Sequence, residues 1–454
     1  VNSSGLVETV ELLGSEEVTN GDFATDSDWS LGSGWSIANQ KATRNSTGSY
    51  TNITQGGILT VGKNYKVKFT VNEGSIGGVR IQLGGTYYGD YNGVGTYTIY
   101  GVSGATAFNN FSLVGEPTFN GSISNVSVKE STKNNLARVD YDGTASSLLV
   151  EPQRTNLVTD STNVNGYFTS QIDATLTNDY GTSPTGENNS TRVQWADSTS
   201  FIYRAESVST DTSASIFVKG TSGETVMFGF GGNVTAGDIY TFDGSWQRII
   251  FTGSAGTQIF LSSYGGATAT DFEVFGLQLE EGSYATSYIP TDGSTVTRVQ
   301  DQYSKTGISN LINSTEGCVF GEGNFAESNS GGSYVYFASL SDGTVNNRLE
   351  IRQTSSNVQF LWRVATYQSQ ISTSGVDVGS NFKFAVNYSS ANIKFYVNGN
   401  LIDTINTPTL WSANTLNRLA FDDGAGGNRL SGKVKQLQVY KTALTDSELI
   451  ALTT

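Results

Sequence analysis

The side chains that most enzymes use for acid–base and nucleophilic chemistry are scarce in this sequence. Its 454 residues include no histidine and a single cysteine, Cys318. Without imidazole, neither a Ser-His nor a Cys-His nucleophile pair can form, and no histidine metal site is available. Paired carboxylates remain as a route to glycoside hydrolysis, but Asp271, Glu273 and Glu280 do not have the Glu-x-Asp-x-x-Glu spacing that such catalytic strands use. We therefore predict a protein that is not an enzyme.

Aromatic side chains are the strongest candidates for a binding role. Trp and Tyr faces stack on the apolar side of a pyranose ring, and Trp29, Tyr87, Tyr88 and Tyr91 are the predicted carbohydrate-binding residues. The three tyrosines lie in a Gly-rich segment that we interpret as a loop, where binding residues are often found. In the alternative, the tryptophans, Trp35 above all, belong to the core, and the tyrosines pack in the core or against a neighbouring chain.

Oxygen ligands for calcium occur together in one loop, but their spacing does not define a site. Asp422, Asp423 and Asn428 carry suitable oxygens, yet they lack the alternating spacing of an EF-hand loop. We favour a turn bearing two solvated acids. Cys318 is interpreted as a small buried apolar residue, because no base can be named for it. No cofactor is predicted, and a structural calcium ion has no motif to support it.

The composition indicates strands and turns rather than helices. Gly, Asn, Ser and Thr are abundant, Gly alone numbering 53, while 22 Tyr and 23 Phe supply core residues. We predict an all-β chain with less than about a tenth of its residues in α-helix, the clearest helix lying near 445–452. The net charge of −15 and the lack of a basic run exclude a nucleic-acid partner, and no apolar stretch is long enough for membrane insertion.

A short apolar pattern recurs three times and predicts the number of domains. Its copies, with apolar residues at i, i+3 and i+5, begin at Ile123, Val274 and Val434. This spacing breaks strict alternation, which indicates a β-bulge or a strand covered on both faces. The alternative is three unrelated core strands. With about 150 residues per domain, we predict three tandem antiparallel β-sandwiches, of the jelly-roll or concanavalin-like kind, at 1–135, 136–300 and 301–454.

The first predicted domain combines an opening run, 18–23, with Trp29, Trp35, alternating strands and a closing run, 119–126. In this combination it resembles the jelly-roll carbohydrate-binding modules found beside xylanases and cellulases. That family often holds a structural calcium through acidic residues after the opening Phe and in the last strand. Here Ala24 and Asn125 occupy those places, so the resemblance does not imply the metal.

The second predicted domain has two separated motifs in order, LLVEPQRTNL at 148–157 and GLQLEEG followed by ATSYIPT between 276 and 291. This pair is similar to a module common in bacteriophage tail, fibre and other appendage proteins.

The third predicted domain has a hairpin and a terminal helix with clear local signals. Asn398-Gly399 between two β-rich runs predicts a type I′ turn, which needs positive φ at both central residues. Thr445 and Glu448 form a capping box, and Leu444 with Leu449 a hydrophobic staple. Hairpin, terminal strand and short helix together resemble the laminin-G or concanavalin-like lectin fold over nearly all of 305–454.

Together these resemblances imply a structural protein of a bacteriophage virion surface: a fibre, spike or capsid-decoration subunit. Its expected partners are other virion proteins and host cell-surface glycans, and a homotrimer or other homo-oligomer is expected although no coiled-coil heptad is present. The alternative is the carbohydrate-binding region of a bacterial secreted or surface polysaccharide-degrading protein. A lyase or glycosidase built on a concanavalin-like domain is disfavoured by the missing catalytic groups.

Overall fold

The computed structural model describes residues 11–72, 75–104, 109–132, 136–142, 144–326, 334–354, 357–373, 375–377 and 379–454. Strands make up 53% of the described residues and helices 3%, which confirms the predicted all-β class. The chain divides into two compact units, Thr9–Leu136 and Ala137–Thr454. In the part of the chain that the structure describes, no helix has the length and apolar character needed to cross a bilayer.

The first unit is an antiparallel β-sandwich, which we call the first sandwich. One sheet has the order β3-β4-β11-β6-β9, with β1 also paired to β11, and the other has the order β2-β5-β10-β7-β8. Apolar residues of both sheets alternate inward and form one core. The strands are β1 Leu12–Glu16, β2 Ser30–Leu31, β3 Trp35–Ala38, β4 Lys41–Arg44, β5 Thr51–Gln55, β6 Asn64–Val71, β7 Gly78–Leu83, β8 Thr86–Asn92, β9 Gly95–Val102, β10 Phe111–Gly115 and β11 Gly121–Thr132.

The second unit begins with a hairpin, β12–β13, and continues into the middle sandwich. The middle sandwich has the sheets β15-β18-β23-β20-β21 and β16-β17-β24-β19-β22, and a two-stranded ribbon, β14–β25, joins its beginning to its end. The elements are β12 Arg138–Asp142, β13 Ala145–Val150, β14 Arg154–Asn156, α1 Val164–Tyr167, β15 Ser170–Ile172, β16 Ala174–Thr177, β17 Thr191–Trp195, β18 Phe201–Val208, β19 Thr212–Gly220, β20 Thr225–Gly231, β21 Asp238–Thr241, β22 Gln247–Gly253, β23 Gly256–Ser262, β24 Asp271–Glu281 and β25 Val296–Arg298.

The last sandwich completes the second unit. Its sheets have the orders β12-β13-β36-β27-β32-β33-β34 and β26-β35-β28-β29-β30-β31. The hairpin β12–β13 therefore belongs to a sheet of the last sandwich. In the sequence, the middle sandwich is inserted between this hairpin and the other strands of that sheet. The elements are β26 Ser304–Thr306, β27 Gly317–Phe325, β28 Val335–Ser341, β29 Asn347–Thr354, β30 Asn357–Val364, β31 Tyr367–Ser372, β32 Phe382–Tyr388, β33 Asn392–Val397, β34 Asn400–Asn406, β35 Arg418–Ala420, β36 Gly432–Tyr440 and α2 Asp446–Thr453.

Each copy of the recurrent apolar pattern lies on a strand with neighbours on both sides, and each contains a register shift. In β11 the shift falls at Asn125, and in β24 it falls at Gly276. In β36 it falls at Lys435, opposite the step from Glu322 to Gly323. The predicted bulges are confirmed, because an extra residue restores inward orientation to the apolar residues that follow it.

The bulge at Gly276 should not tolerate a side chain. Its φ is +66°, and an added Cβ would lie 3.0 Å from Cδ2 of Phe217. We expect Gly276→Val to lower the unfolding free energy of the second unit by about 2–3 kcal/mol, because left-handed strain and overpacking add. Urea denaturation measures this. In the control, Gly232→Ala places a methyl group in open space and should change stability by less than about 0.5 kcal/mol. Equal stabilities for the two variants would contradict the assignment.

The local signals predicted near the C-terminus are confirmed. The Thr445 hydroxyl accepts from the Glu448 N–H, and the Glu448 carboxylate accepts from the Thr445 N–H at 2.7 Å. Leu444 and Leu449 pack in one small cluster with Cys318, which is fully buried as predicted. At the hairpin turn, Asn398 and Gly399 have φ of 48° and 78°, as a type I′ turn requires.

Candidate functional site

Trp29 lies in the core of the first sandwich. Its ring is 8% exposed and packs 5.2 Å from Phe23 and 6.2 Å from Phe111, measured between centroids. Its indole N–H donates to the Asn20 carbonyl at 3.1 Å. A ring packed in this way has no free face for a sugar, so Trp29 contributes to packing, as does Trp35, which is 7% exposed.

The tyrosine segment is a strand rather than the loop that its glycine content suggested. Tyr87, Tyr88 and Tyr91 lie on β8, the edge strand of the five-stranded sheet. The Tyr88 hydroxyl donates to the Val102 carbonyl at 2.6 Å and accepts from the Val102 N–H at 2.8 Å, which ties β8 to β9 of the other sheet. Tyr91 packs on Phe69 at 5.5 Å. Tyr87 is 57% exposed and is the one of the three whose ring faces solvent extensively.

The carboxylates of the 422–428 loop are bonded to the loop's own backbone and to Arg418 of β35. Asp422 forms a two-pronged ion pair with Arg418, and Asp423 accepts from the backbone N–H groups of Ala425 and Gly427 at 3.0 Å each. Among the described residues, no group of three or more acidic or cysteine side chains is arranged to hold a metal ion. The segment is a turn, as we favoured, but the expectation of two solvated acids is wrong for Asp422, which is 5% exposed because it is held against Arg418.

A set of charged and aromatic side chains on the six-stranded sheet of the last sandwich was not anticipated. Strand β29 alternates, so that Leu349 and Ile351 enter the core while the polar residues between them share the opposite face. Neighbouring strands add further polar and aromatic side chains to this face. We call this set the arginine cluster; its members are Arg348, Glu350, Arg352, Gln359, Tyr334 and Tyr336.

The centre of the arginine cluster is a buried carboxylate between two guanidinium groups. Glu350 is fully buried; Arg352 Nη1 donates to its Oε1 at 2.8 Å, and Arg348 pairs with its other oxygen. Burial raises the pKa of Glu350, and the two arginines oppose that shift. Arg352 also donates to Gln359 Oε1 at 2.7 Å. The two arginines flank one glutamate, and the Asp423 carboxylate is close enough to raise the pKa of Glu350 further. Arg348 and Arg352 are themselves buried, at 7% and 5% exposed.

An exposed aromatic ring lies directly over this charge. The Arg352 Cζ is 3.9 Å from the centroid of Tyr334, which is 44% exposed, whereas Tyr336 beneath it is buried. The Arg352 guanidinium is buried and already donates to Glu350 and Gln359, so the part of the cluster that is open to a ligand is the Tyr334 ring, whose face can stack on a sugar. The spacing Arg348-x-Glu350-x-Arg352 within a β-rich run was the available sequence signal, since alternate residues share one face of a strand.

The two motifs of the middle region meet in a second buried polar network, which we call the neck. Glu151 from the first motif accepts from the Ser287 N–H at 2.7 Å and pairs with Arg138 and with Arg298. Asp301 pairs with Arg138 and accepts from the Glu151 N–H at 2.8 Å. The chain segments entering and leaving the middle sandwich are therefore fastened to each other.

Asn156 of the first motif fastens the second motif in the same way. Its amide donates to the carbonyls of Leu277 and Ile289, at 3.3 and 2.9 Å, and its oxygen accepts from the N–H groups of Val158 and Leu279 at 3.1 Å. All four bonds are buried in the middle sandwich. The two motifs thus share a structural role: their hydrogen bonds join the first strand segment of the middle sandwich to its last.

Both units are antiparallel β-sandwich structures, and the last sandwich has a recognisable class. Residues 325–450 match the family model Laminin_G_3, described as the concanavalin A-like lectin/glucanases superfamily. The arginine cluster lies within this matched segment. A search of curated protein sequences finds no match.

Several solved structures are similar to about a third of the chain. The CBM40 of the Ruminococcus gnavus IT-sialidase, bound to α2,3-sialyllactose, is 17% identical over 34% of this chain and 98% of its own, with a TM-score of 0.29. A heptameric SAP-like pentraxin from Limulus polyphemus is 16% identical over 32% of this chain and 71% of its own, with a TM-score of 0.27. Botulinum neurotoxin type C, whose cell entry depends on interaction with two ganglioside molecules, is 14% identical over 36% of this chain and 40% of its own, with a TM-score of 0.28. These likenesses concern the fold alone.

Proposed function

We propose that this protein is a non-catalytic, glycan-binding surface protein. The observation that carries the proposal is the arginine cluster, in which the exposed Tyr334 ring covers Arg352 beside a second arginine, Arg348. It lies in the segment that matches a lectin superfamily model. An exposed aromatic ring is a usual platform for a sugar, and the two buried arginines beneath it favour a sugar that bears a carboxylate.

Two substitutions test this site, one at its exposed ring and one at the buried guanidinium beneath that ring. We expect Tyr334→Ala to weaken binding about tenfold, since it removes a stacking contact worth about 1–2 kcal/mol. Arg352→Lys should also weaken binding because it removes the planar group that supports the Tyr334 ring, and since Arg352 is buried and bonded to Glu350 and Gln359 its melting temperature is measured alongside. Isothermal titration with sialyllactose and with an oligouronate measures the effect, because both probes present a carboxylate on a pyranose ring.

The middle sandwich offers a matched control. Tyr180, 48% exposed, lies over Arg192 with 4.8 Å between the guanidinium carbon and the ring centroid. Tyr180→Ala therefore removes a similar tyrosine–arginine stack and should leave binding unchanged. Wild-type affinity in Tyr334→Ala and Arg352→Lys, or release of sugar products from the probes, would overturn the proposal.

At a finer level, we propose a bacteriophage virion surface protein: a fibre, spike or decoration subunit that meets host glycans as a homotrimer or other homo-oligomer. The motifs at 148–157 and 276–291, joined at the neck, support this. The carbohydrate-binding region of a bacterial polysaccharide-degrading protein is the second candidate, favoured by the lectin-superfamily match. Detection of peptides of this chain in purified virions would support the virion protein. Their detection only in bacterial secreted fractions would support the polysaccharide-degrading protein.

A further inference from the structure

The middle sandwich has a cleft at the edge where its chain crosses from one sheet to the other. Strand β15 belongs to one sheet and β16 to the other, and Asp173 is the residue between them. The cleft has a volume of about 410 Å³, and its lining consists of Asp173, Ala174, Thr175, Gln194, Trp195 and Ala196. This volume is near the lower end of the range for small-molecule sites, which suits a ligand of one ring.

The backbone holds Asp173 in place while its carboxylate stays open to solvent. Asp173 has a φ of +50°, and its carbonyl accepts from the Ala196 N–H at 2.8 Å and from the Ser200 hydroxyl at 2.7 Å. The side chain is exposed, and among the described residues none forms a hydrogen bond or ion pair with its carboxylate. The cleft therefore presents a negative charge that only accepts hydrogen bonds.

The other polar groups of the cleft are a hydroxyl and an amide. Thr175 and Gln194 lie opposite each other on β16 and β17. They point away from the core, which contains Val193 and Trp195 of the same strand. Gln194 donates to Asp271 Oδ2 at 3.3 Å, which leaves its side-chain oxygen as an acceptor. Both groups can exchange hydrogen bonds with the hydroxyls of a sugar.

The charge around the cleft is negative. The one basic residue on β16 and β17 is Arg192, and two of its nitrogens donate to Asp271, which neutralises it. Asp197 adds a further acid, and hydrogen bonds from Thr199 hold the pKa of its carboxyl below the usual value. A ligand that bears a carboxylate would be repelled here, whereas an ammonium group would be attracted.

We propose that this cleft binds a single amino sugar in its ammonium form, with the ammonium group on Asp173 and ring hydroxyls on Thr175 and Gln194. An ammonium group has three donors and no acceptor, so it matches a carboxylate. A lysine side chain carries the same group on an alkyl stem and has no hydroxyls for the other two residues, which favours the sugar. The site is separate from the arginine cluster, takes a ligand of the opposite charge and does not rest on the proposed function.

Saturation-transfer NMR on the full chain tests this, with glucosamine as the probe. Glucosamine should bind, and its affinity should fall as salt is added, because the attraction to an exposed carboxylate is screened. N-acetylglucosamine, which lacks the charge, and butylamine, which lacks the hydroxyls, should each bind at least about tenfold more weakly.

Two variants place the ligand in the cleft. Asp173→Asn should lower the affinity for glucosamine about tenfold and leave the melting temperature unchanged, because asparagine readily adopts a positive φ. Ala196→Leu, at an exposed position, should block binding by filling the cleft. The matched control is Asp179→Asn, since Asp179 is also exposed, has a φ of +52° and does not line the cleft. It should bind glucosamine as the wild type does.

The proposal is overturned if N-acetylglucosamine or butylamine binds as tightly as glucosamine, or if Asp173→Asn binds glucosamine as Asp179→Asn does. Failure of this site can be told apart from failure of the proposed function. Tyr334→Ala should leave glucosamine binding intact, and Asp173→Asn should leave binding of carboxylate-bearing sugars intact.

Discussion

Replacing Arg44 with methionine is expected to destabilise the first sandwich by about 3–5 kcal/mol. Arg44 is fully buried, and its guanidinium donates to the backbone carbonyls of Ser49, Glu116 and Phe119 at 2.6–2.7 Å. It also donates to the Thr51 hydroxyl at 2.8 Å. Methionine fills much of the volume but donates nothing. Three backbone carbonyls, of which that of Phe119 is buried, would then lose charge-assisted hydrogen bonds, each worth about 1.5–3 kcal/mol before relaxation of the loops.

Chemical denaturation followed by tryptophan fluorescence measures the Arg44 effect, because Trp29 and Trp35 lie in that core. The control is Lys63→Met, which removes a cation from an exposed pair with Glu130 and should change stability little, because solvent screens such pairs. If Arg44→Met lowers stability no more than Lys63→Met does, then the hydrogen bonds donated by Arg44 are not needed for the stability of the first sandwich.

Replacing Glu151 with glutamine is expected to cost the second unit about 3–5 kcal/mol. The carboxylate is 5% exposed and is shared by Arg138, Arg298 and Ser287. Glutamine keeps the shape but not the charge. It leaves the buried guanidinium groups of Arg138 and Arg298 with Asp301 and Glu280 as the nearby acids, and removing the charge of one member of a buried ionic network leaves the others incompletely compensated. Asp271→Asn, which removes an exposed pair with Arg192, is the control and should cost less than about 1 kcal/mol.

The pH dependence of stability gives a second measurement of the same network. Burial by itself raises the pKa of Glu151, but Arg298, Arg138 and the Ser287 hydrogen bonds outweigh it and hold that pKa below its usual value. Stability from a lowered pKa is present above about pH 4.3, the unfolded value, and is lost as the pH falls through the folded pKa. Asp301, whose pKa burial raises, offsets part of this. Glu151→Gln should therefore flatten the acid limb of the stability profile, and an unchanged limb would contradict the role given to Glu151.

Regular, local features were predictable from the sequence. The all-β class follows from residue types that fit strands and turns, and the C-terminal helix follows from a capping box with a staple. The bulges were visible because apolar residues at i, i+3 and i+5 cannot all face one core on a regular strand. Each of these features depends on residues that are close together in the sequence, so it can be predicted without knowing the tertiary structure.

The role of an individual side chain depends on which distant parts of the sequence pack against it in the folded structure. The sequence makes Trp29 a binding candidate, whereas in the folded chain its ring packs against Phe23 and Phe111. Tyr87 is more exposed than Tyr88 because neighbouring residues of a strand face opposite sides of the sheet. The hairpin β12–β13 precedes the middle sandwich in sequence yet pairs with β36, nearly 300 residues later. Pairing over such distances is set by burial of complete sheet faces, which local patterns do not encode.

The two charged clusters show the same division. The residues Arg348, Glu350 and Arg352 could be assigned to one face of a strand from their spacing, but the position of Tyr334 over Arg352 depends on β28 lying beside β29. At the neck, Glu151 and Asp301 are separated by about 150 residues and meet because the middle sandwich returns its chain to where it began. The sequence determined which groups could bind or carry charge, whereas tertiary structure decided which of them meet, because desolvation and pairing act between groups close in space.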